Sequence, residues 1–411
     1  MSEKVVIIGG GAAGLMAGAE AAKRGLDTVI LEKMPRPARK MMITGKGRCN
    51  VTNACFELEE LIAHVPTNGR FLYSAFSAFM PYDTIALVEA LGVPTKIERG
   101  NRVFPVSDKA VDVVDAFVAY AKQCGAAIIQ GTAEALETEN GRVTAVLTDS
   151  GERLACDAAA ICTGGCSYPL TGSTGDGYRL AKSVGHRVTA PTPSLVPLVA
   201  SNNFIPRLQG LSLRNVSLRV LDGDREVYRD FGEMLFTHYG VSGPIVLSAS
   251  AHIREPEEKT YRLVLDLKPA LDEKALDLRL QRDFKENNNK DFINSLSKLL
   301  PNKLIPVIVG LSGIAPSAKC NSITREQRFA LVQLLKNLTL NVTGFRPVEE
   351  AIVTSGGVNV KEINPKTMQS KIVPNLYFAG EVIDVDAYTG GFNLQIAFST
   401  GYLCGQNIGG E

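Results

Sequence analysis

A chain of 411 residues with 45% hydrophobic and 21% charged side chains is long enough for two or three domains and has the balance of a folded globular protein. Its net charge of +1 gives no electrostatic case for nucleic acid or an anionic membrane as partner. Eight scattered cysteines without a C-x-x-C pair and four histidines without ligand spacing suggest neither a disulfide framework nor a metal site, and no apolar run reaches the roughly 18 residues of a membrane span. The cytoplasm is the expected compartment.

The strongest local signal comes first in the chain. Val5-Val6-Ile7-Ile8 is a short, wholly apolar run, read as a strand buried on both faces. Gly9-Gly10-Gly11-Ala12-Ala13-Gly14 follows as a full G-x-G-x-x-G. Gly9 allows a tight turn, Gly11 leaves room for a pyrophosphate against the backbone, and Gly14 lets the next helix pack closely on the strand. That helix runs to about Arg24, Gly25 ends it, and a second buried strand over residues 28–31 delivers Glu32. A helix N-terminus favours a diphosphate, and an acid roughly 20 positions past the glycines suits a ribose hydroxyl pair. The unit is a dinucleotide site. Glu32 argues against a 2′-phosphate, which leaves FAD or NAD.

Residues 33–40 form a basic, proline-interrupted loop, and residues 44–53 are dense in glycine, donors and charge. Such a loop can wrap a phosphate or ring edge with backbone amides while Lys40 and Arg48 supply positive charge. Residues 56–91 have a helical pattern, residues 112–124 an amphipathic one, and residues 126–129 that of a third sheet strand, with Gly131-Thr132-Ala133 leading out of it. Residues 143–148 and 153–157 read as a hairpin feeding a buried strand, 158–162, that ends at Thr163-Gly164-Gly165. This second strand-to-glycine junction brings backbone close to the same ligand. The run from Ser167 to Gly177 then opens a helix through about Val184.

Composition shifts near Pro191. Residues 192–267 are strand-like, and 271–338 are helical with a capping box at Thr324-x-x-Gln327, so both look like an insertion. The sheet pattern returns at residues 351–358 and again at 376–378, which lead into Ala379-Gly380-Glu381. Gly390-Gly391-Phe392-Asn393-Leu394-Gln395 then opens a last small-residue helix, another place for developing negative charge.

The opening glycines with Glu32, the Thr163-Gly164-Gly165 junction and Ala379-Gly380-Glu381 resemble the three FAD contacts of two-dinucleotide-binding-domain flavoproteins. More narrowly, Gly45-x-Gly47-Arg48-Cys49-Asn50-x-Thr52-Asn53, Gly172-Ser173-Thr174-Gly175-Asp176-Gly177 and the Gly390 to Gln395 run resemble the BaiN-like (YhiN-like) flavoprotein family over nearly the whole chain. The resemblance implies an α/β fold in which a discontinuous Rossmann-like FAD-binding domain, 1–190 and 347–411, is interrupted by a β-barrel-like domain, 191–270 with 338–346, and a helical subdomain, 271–337. It puts Glu32 on the adenosine ribose, Ala133 near the adenine, Glu381 near the ribityl or pyrophosphate portion, and residues 391–394 at the pyrimidine edge of the flavin. The candidate cofactor set is Gly9, Gly11, Ala12, Ala13, Gly14, Glu32, Lys33, Arg39, Lys40, Gly45, Arg48, Cys49, Asn50, Ala133, Thr163, Gly164, Gly165, Asp176, Gly380, Glu381, Gly391, Asn393 and Leu394. Similar family members include proposed NAD(P)H-dependent reductases of bile-acid dienones and oxidases of aminoacetone.

For an enone reductase, an acid must protonate the carbon next to the one that receives hydride. Tyr168, His238 and Tyr239, in glycine-rich breaks, are the candidates. No second strand-glycine-helix-acid unit exists for NAD(P)H, since residues 307–313 lack the third glycine, the helix and the acid. Either nicotinamide docks transiently, or the substrate is itself the donor. Three activities follow in order: an NAD(P)H-dependent reductase of the conjugated C=C of an unsaturated ketone, with a steroid-like 3-oxo bile-acid Δ4 or Δ4,6 intermediate as the model substrate; an oxidase of an aminoacetone-like amine that reduces O2 to H2O2; and a non-enzymatic redox-sensing flavoprotein.

Overall fold

In the computed structural model, which describes residues 2–254, 256 and 258–409, five parallel strands form the central sheet. They are β1 (Lys4–Ile8), β2 (Asp27–Glu32), β3 (Ala127–Gln130), β4 (Ala158–Ile161) and β5 (Leu376–Phe378), in the order β5-β4-β1-β2-β3. The four apolar residues of β1 and all of β4 and β5 are buried, as expected of parallel strands covered on both faces. The chain leaves β1 toward β2 on one side and returns to β4 on the other. That reversal is a switch point, and the crevice beyond the carboxyl ends of β1 and β4 is where such sheets take ligands.

Two helices frame the crevice. α1 (Ala12–Lys23) is buried along nearly its whole length, and α3 (Phe392–Asn407) lies against it through small residues; α2 (Asp176–Ser183) follows the third glycine-rich run. A Cβ at Gly401 would stand 2.5 Å from the Ala13 carbonyl oxygen, and one at Gly405 2.5 Å from that of Ala17. The two glycines, four apart, let the helix backbones touch.

The chain divides into one unit running to Ser194 and resuming at Pro347, and a second unit, Leu195–Arg346. The second unit holds a closed barrel of six strands, the longest being Ser212–Asp222 and Arg225–Phe236, with the last, Leu338–Phe345, completing it. Helices Glu273–Glu286, Ile305–Ser312 and Arg325–Lys336 join the barrel in one apolar core. The capping box at Thr324 and Gln327 forms in full.

Two local readings are corrected. Arg39–Gly47 is helical, broken at Thr44, Gly45 and Lys46, where a continuous loop was expected. The hairpin gains a third strand, Ala133–Glu139, whose polar sequence hides a half-buried face. Among the described residues no single helix is long and apolar enough to cross a membrane.

Candidate active site

The first unit contains a cleft, open to solvent, at the carboxyl ends of β1, β2 and β4. The glycines around it play distinct parts. Gly9 has φ +104°, and a Cβ there would lie 2.7 Å from the Cys162 carbonyl oxygen; a Cβ at Gly14 would lie 1.8 Å from that of Gly9. Both are required by the protein's own packing. Gly11 is different: its backbone, φ −78° and ψ −170°, suits any residue, and a Cβ there would meet nothing within 4 Å. The protein itself has no need of glycine at that position. A ligand backbone lying against the N-terminus of α1 does, so the residues present fit a dinucleotide diphosphate.

Glu32 turns into the cleft at the end of β2. Its Oε2 accepts from the Gly10 N–H and its Oε1 from the Met34 N–H, each at 2.7 Å. Burial raises its pKa, and these two bonds oppose the rise. Each oxygen keeps a lone pair for a hydroxyl. Two ion pairs line the same cleft. Lys33 meets Asp176 at 2.6 Å, and Lys40 donates at 2.6 Å to both Ser167 Oγ and Glu381 Oε2. Glu381 Oε1 in turn accepts from the Thr354 N–H at 2.8 Å, which fixes the carboxylate.

At the far end, α3 begins at Gly391 with φ +105°. The first N–H groups of a helix have no intrahelical acceptor, so those of Asn393 and Leu394, both lining the cleft, are available to a ligand. The Asn393 side chain grips the preceding loop, accepting from the Ala387 N–H at 3.0 Å and donating to the Ala387 carbonyl at 2.8 Å.

Of the expected cofactor residues, Gly9, Gly11, Ala12, Ala13, Glu32, Lys33, Arg39, Lys40, Ala133, Thr163, Gly164, Asp176, Gly380, Glu381, Asn393 and Leu394 line this cleft. Gly14, Gly45, Arg48, Cys49, Asn50, Gly165 and Gly391 do not. Arg48 is committed elsewhere: it pairs with Glu98 and Asp108 and lies 4.1 Å above the Phe104 ring. Cys49 is fully buried, and burial pushes its thiol up to about 12. Gly165 and Gly391 support the wall from behind, against Thr354 and Thr52. Residues missed in the sequence include Met41, Thr44, Ile352 and Val385. Met41 and Thr44 sit on the broken helix Arg39–Gly47, and Ile352 and Val385 are apolar residues that carry no motif of their own.

The proton-donor candidates belong to different units. Tyr168 belongs to the same unit as the cleft, with left-handed φ +53° and its carbonyl accepting from Thr171, a lining residue. His238 and Tyr239 are in the second unit, edge to face at 4.9 Å, with Arg346 over the Tyr239 ring at 4.5 Å. Among the described residues no group of His, Cys, Asp and Glu is arranged to hold a metal.

A switch-point crevice, three strand-to-glycine junctions and a carboxylate at the end of the second strand, all facing one cleft, define a Rossmann-type dinucleotide-binding domain, and family membership makes the protein an FAD-dependent oxidoreductase. The chain belongs to the BaiN/YhiN family: the model described as "HI0933-like protein Rossmann domain" matches residues 3–407. It is 30% identical over 403 residues to the ribosomal RNA dihydrouridine synthase of Escherichia coli (strain K12), covering 98% of this chain and 97% of that protein. It is also 30% identical over 408 residues to the 3-dehydro-bile acid delta(4,6)-reductase of Clostridium scindens, covering 98% of each. The 3-ketosteroid delta1-dehydrogenase structure from Sterolibacterium denitrificans, at 12% identity, has the same fold, with a TM-score of 0.50 over 98% of this chain and 99% of that one.

Proposed function

We propose that this protein is an FAD-dependent reductase that uses NAD(P)H to saturate a C=C bond conjugated to a carbonyl, in a small and largely apolar substrate, in the cytoplasm. The observation that carries the reading is the pair of free amides, Asn393 and Leu394, at the head of α3 in a cleft that also holds Glu381 and Lys40. Bound FAD supplies the hydride chemistry. Around it the chain's own groups orient and stabilise. Glu32 holds hydroxyls, the α1 N-terminus holds phosphate, and the α3 amides stabilise negative charge at the other end of the cleft. Tyr168, in the same unit as the cleft, is the first candidate to deliver the proton; His238 and Tyr239 are the others. Two relatives carry names that describe saturation of a ring C=C, one in a bile acid and one in a nucleobase.

A second substrate, a uridine in ribosomal RNA, is favoured by the Escherichia coli and Haemophilus influenzae relatives, both named ribosomal RNA dihydrouridine synthases. An amine oxidase is favoured only by the lack of a second dinucleotide unit in the sequence. Redox sensing is disfavoured at Cys49 and Cys162, whose thiols burial pushes up to about 12.

The test is anaerobic stopped-flow spectroscopy of the FAD-loaded protein. Bleaching of the flavin band by NADH or NADPH, followed by recovery with a 3-oxo-Δ4,6 bile acid, supports the proposal. Recovery only with unmodified ribosomal RNA moves it to the nucleobase. Bleaching by aminoacetone and by neither nicotinamide overturns it in favour of the oxidase.

A further inference from the structure

We infer that the second unit carries a phosphate-binding cleft of its own, formed where residues 212–216 meet Leu267, Lys268 and residues 300–304. This inference does not rest on the substrate proposed above. The cleft, about 260 Å³, has walls of Leu213, Val216, Leu267 and Leu304, and two cations, Arg214 and Lys268, on its lining.

Among the described residues the Arg214 guanidinium and the Lys268 ammonium make no hydrogen bond or ion pair. Arg214 stands on a break in the strand register between Leu213 and Val216, beside Asn215 with left-handed φ +56°. Bulges of this kind re-aim a side chain away from its regular alternation. Lys268 is half-buried, and burial together with the neighbouring Arg279 guanidinium holds its pKa below the ordinary lysine value. The nearby carboxylates are already neutralised, Asp266 by Lys336 at 2.6 Å and Asp283 by Arg279 at 2.8 Å.

A half-buried ammonium beside a guanidinium and without a counter-ion is a cost to folding that a bound anion offsets. Two uncompensated cations between apolar walls suit a phosphate ester with an apolar body better than a bare carboxylate. The charge distribution along the chain agrees. Residues 195–346 carry 21 Lys and Arg against 16 Asp and Glu, whereas the remainder carries 23 against 27, so a near-neutral total conceals a basic second unit. The phosphate can come from a free phosphorylated molecule or from the phosphodiester backbone of RNA.

The experiment uses the full-length, FAD-loaded protein, so that the first unit's diphosphate site is filled. Inorganic pyrophosphate is titrated by calorimetry, and a short fluorescein-labelled oligouridylate by anisotropy at several salt concentrations. Arg214→Gln and Lys268→Gln are compared with Lys290→Gln, an exposed lysine of the same unit. Each cleft variant is expected to weaken at least one probe about fivefold or more, the control leaving both unchanged, with flavin absorbance and melting temperature recorded throughout. Weakening confined to the oligonucleotide, with a salt slope shallower by about 0.7 per variant, identifies the RNA backbone. Weakening confined to pyrophosphate identifies a small phosphorylated ligand. No binding of either probe to the wild type, or equal binding by wild type and both cleft variants, overturns the inference. Since Arg214 is exposed, its variant keeps the test valid if Lys268→Gln misfolds.

Discussion

Replacing Gly11 by alanine separates the cofactor's demand for glycine from the fold's. Its backbone angles are open to any residue, and the new methyl would meet no protein atom within 4 Å. Two small terms act on the unliganded protein. Restricting the unfolded chain stabilises by about 0.4–1 kcal/mol, and losing a favourable N-cap residue costs about the same. Apoprotein stability should therefore stay within about 1 kcal/mol of wild type. FAD affinity should not, because the methyl stands where the diphosphate approaches the backbone. Overpacking of about 1–3 kcal/mol corresponds to a roughly 5- to 150-fold weaker Kd. Gly14→Ala is the contrast: its Cβ would fall 1.8 Å from the Gly9 carbonyl oxygen, so the fold itself must shift. The assay is chemical denaturation of the apoproteins beside FAD titration followed by flavin fluorescence. The reasoning fails if Gly11→Ala binds FAD as wild type does, or if its apoprotein is as destabilised as that of Gly14→Ala.

Lys40→Met should weaken FAD binding and destabilise the unliganded chain by about 1–2 kcal/mol. That figure is discounted because the Lys40 and Glu381 side chains are 22% and 19% exposed and Glu381 keeps its bond from the Thr354 N–H; unchanged denaturation and FAD titration curves would reject the network's role. Gly401→Ala should lower stability by about 1–3 kcal/mol despite alanine's better helix propensity, because the added carbon would lie 2.5 Å from backbone on α1; a calorimetric melting point at or above wild type refutes that packing. Burial holds the His186 imidazole below its ordinary pKa, against the opposing Glu362 carboxylate. The unfolded chain, at about 6.5, then takes up the proton first as pH falls, so this contribution is present above about 6.5 and is lost below it. The drop in melting temperature between about pH 7.5 and 5.5 should be larger for wild type than for His186→Gln, and equal drops would show that His186 is not the group responsible.

What the sequence disclosed and what it concealed divide along one physical line, the distance over which each contact is encoded. Gly9, Gly11, Glu32, Thr163 and Gly380 were legible because a strand, a glycine turn and a helix are consecutive in the chain, and the sheet carries each junction to the same crevice. The Lys40–Glu381 pair spans 341 residues, and no local pattern announces it. The run from Gly45 to Asn53 shows the limit most clearly. Its glycines and charges read as a phosphate wrap, yet Arg48 is held by acids 50 and 60 positions away. Thr52 Oγ1 donates to the Gln395 side chain at 2.6 Å, Asn53 Nδ2 donates to the Gly390 carbonyl at 3.0 Å, and Gly391 packs so closely on Thr52 that a Cβ would overlap its carbonyl. The motif therefore acts on the site at one remove. It anchors the turn that starts α3, and that turn presents the Asn393 and Leu394 amides to the cleft. Such an arrangement needs a sequence as specific as direct ligation does, because Gly391 admits no side chain and Gln395 is buried with Thr52, Thr84 and Ser399 as partners. A dense polar motif beside a nucleotide fold thus identifies the site without itself having to touch the ligand.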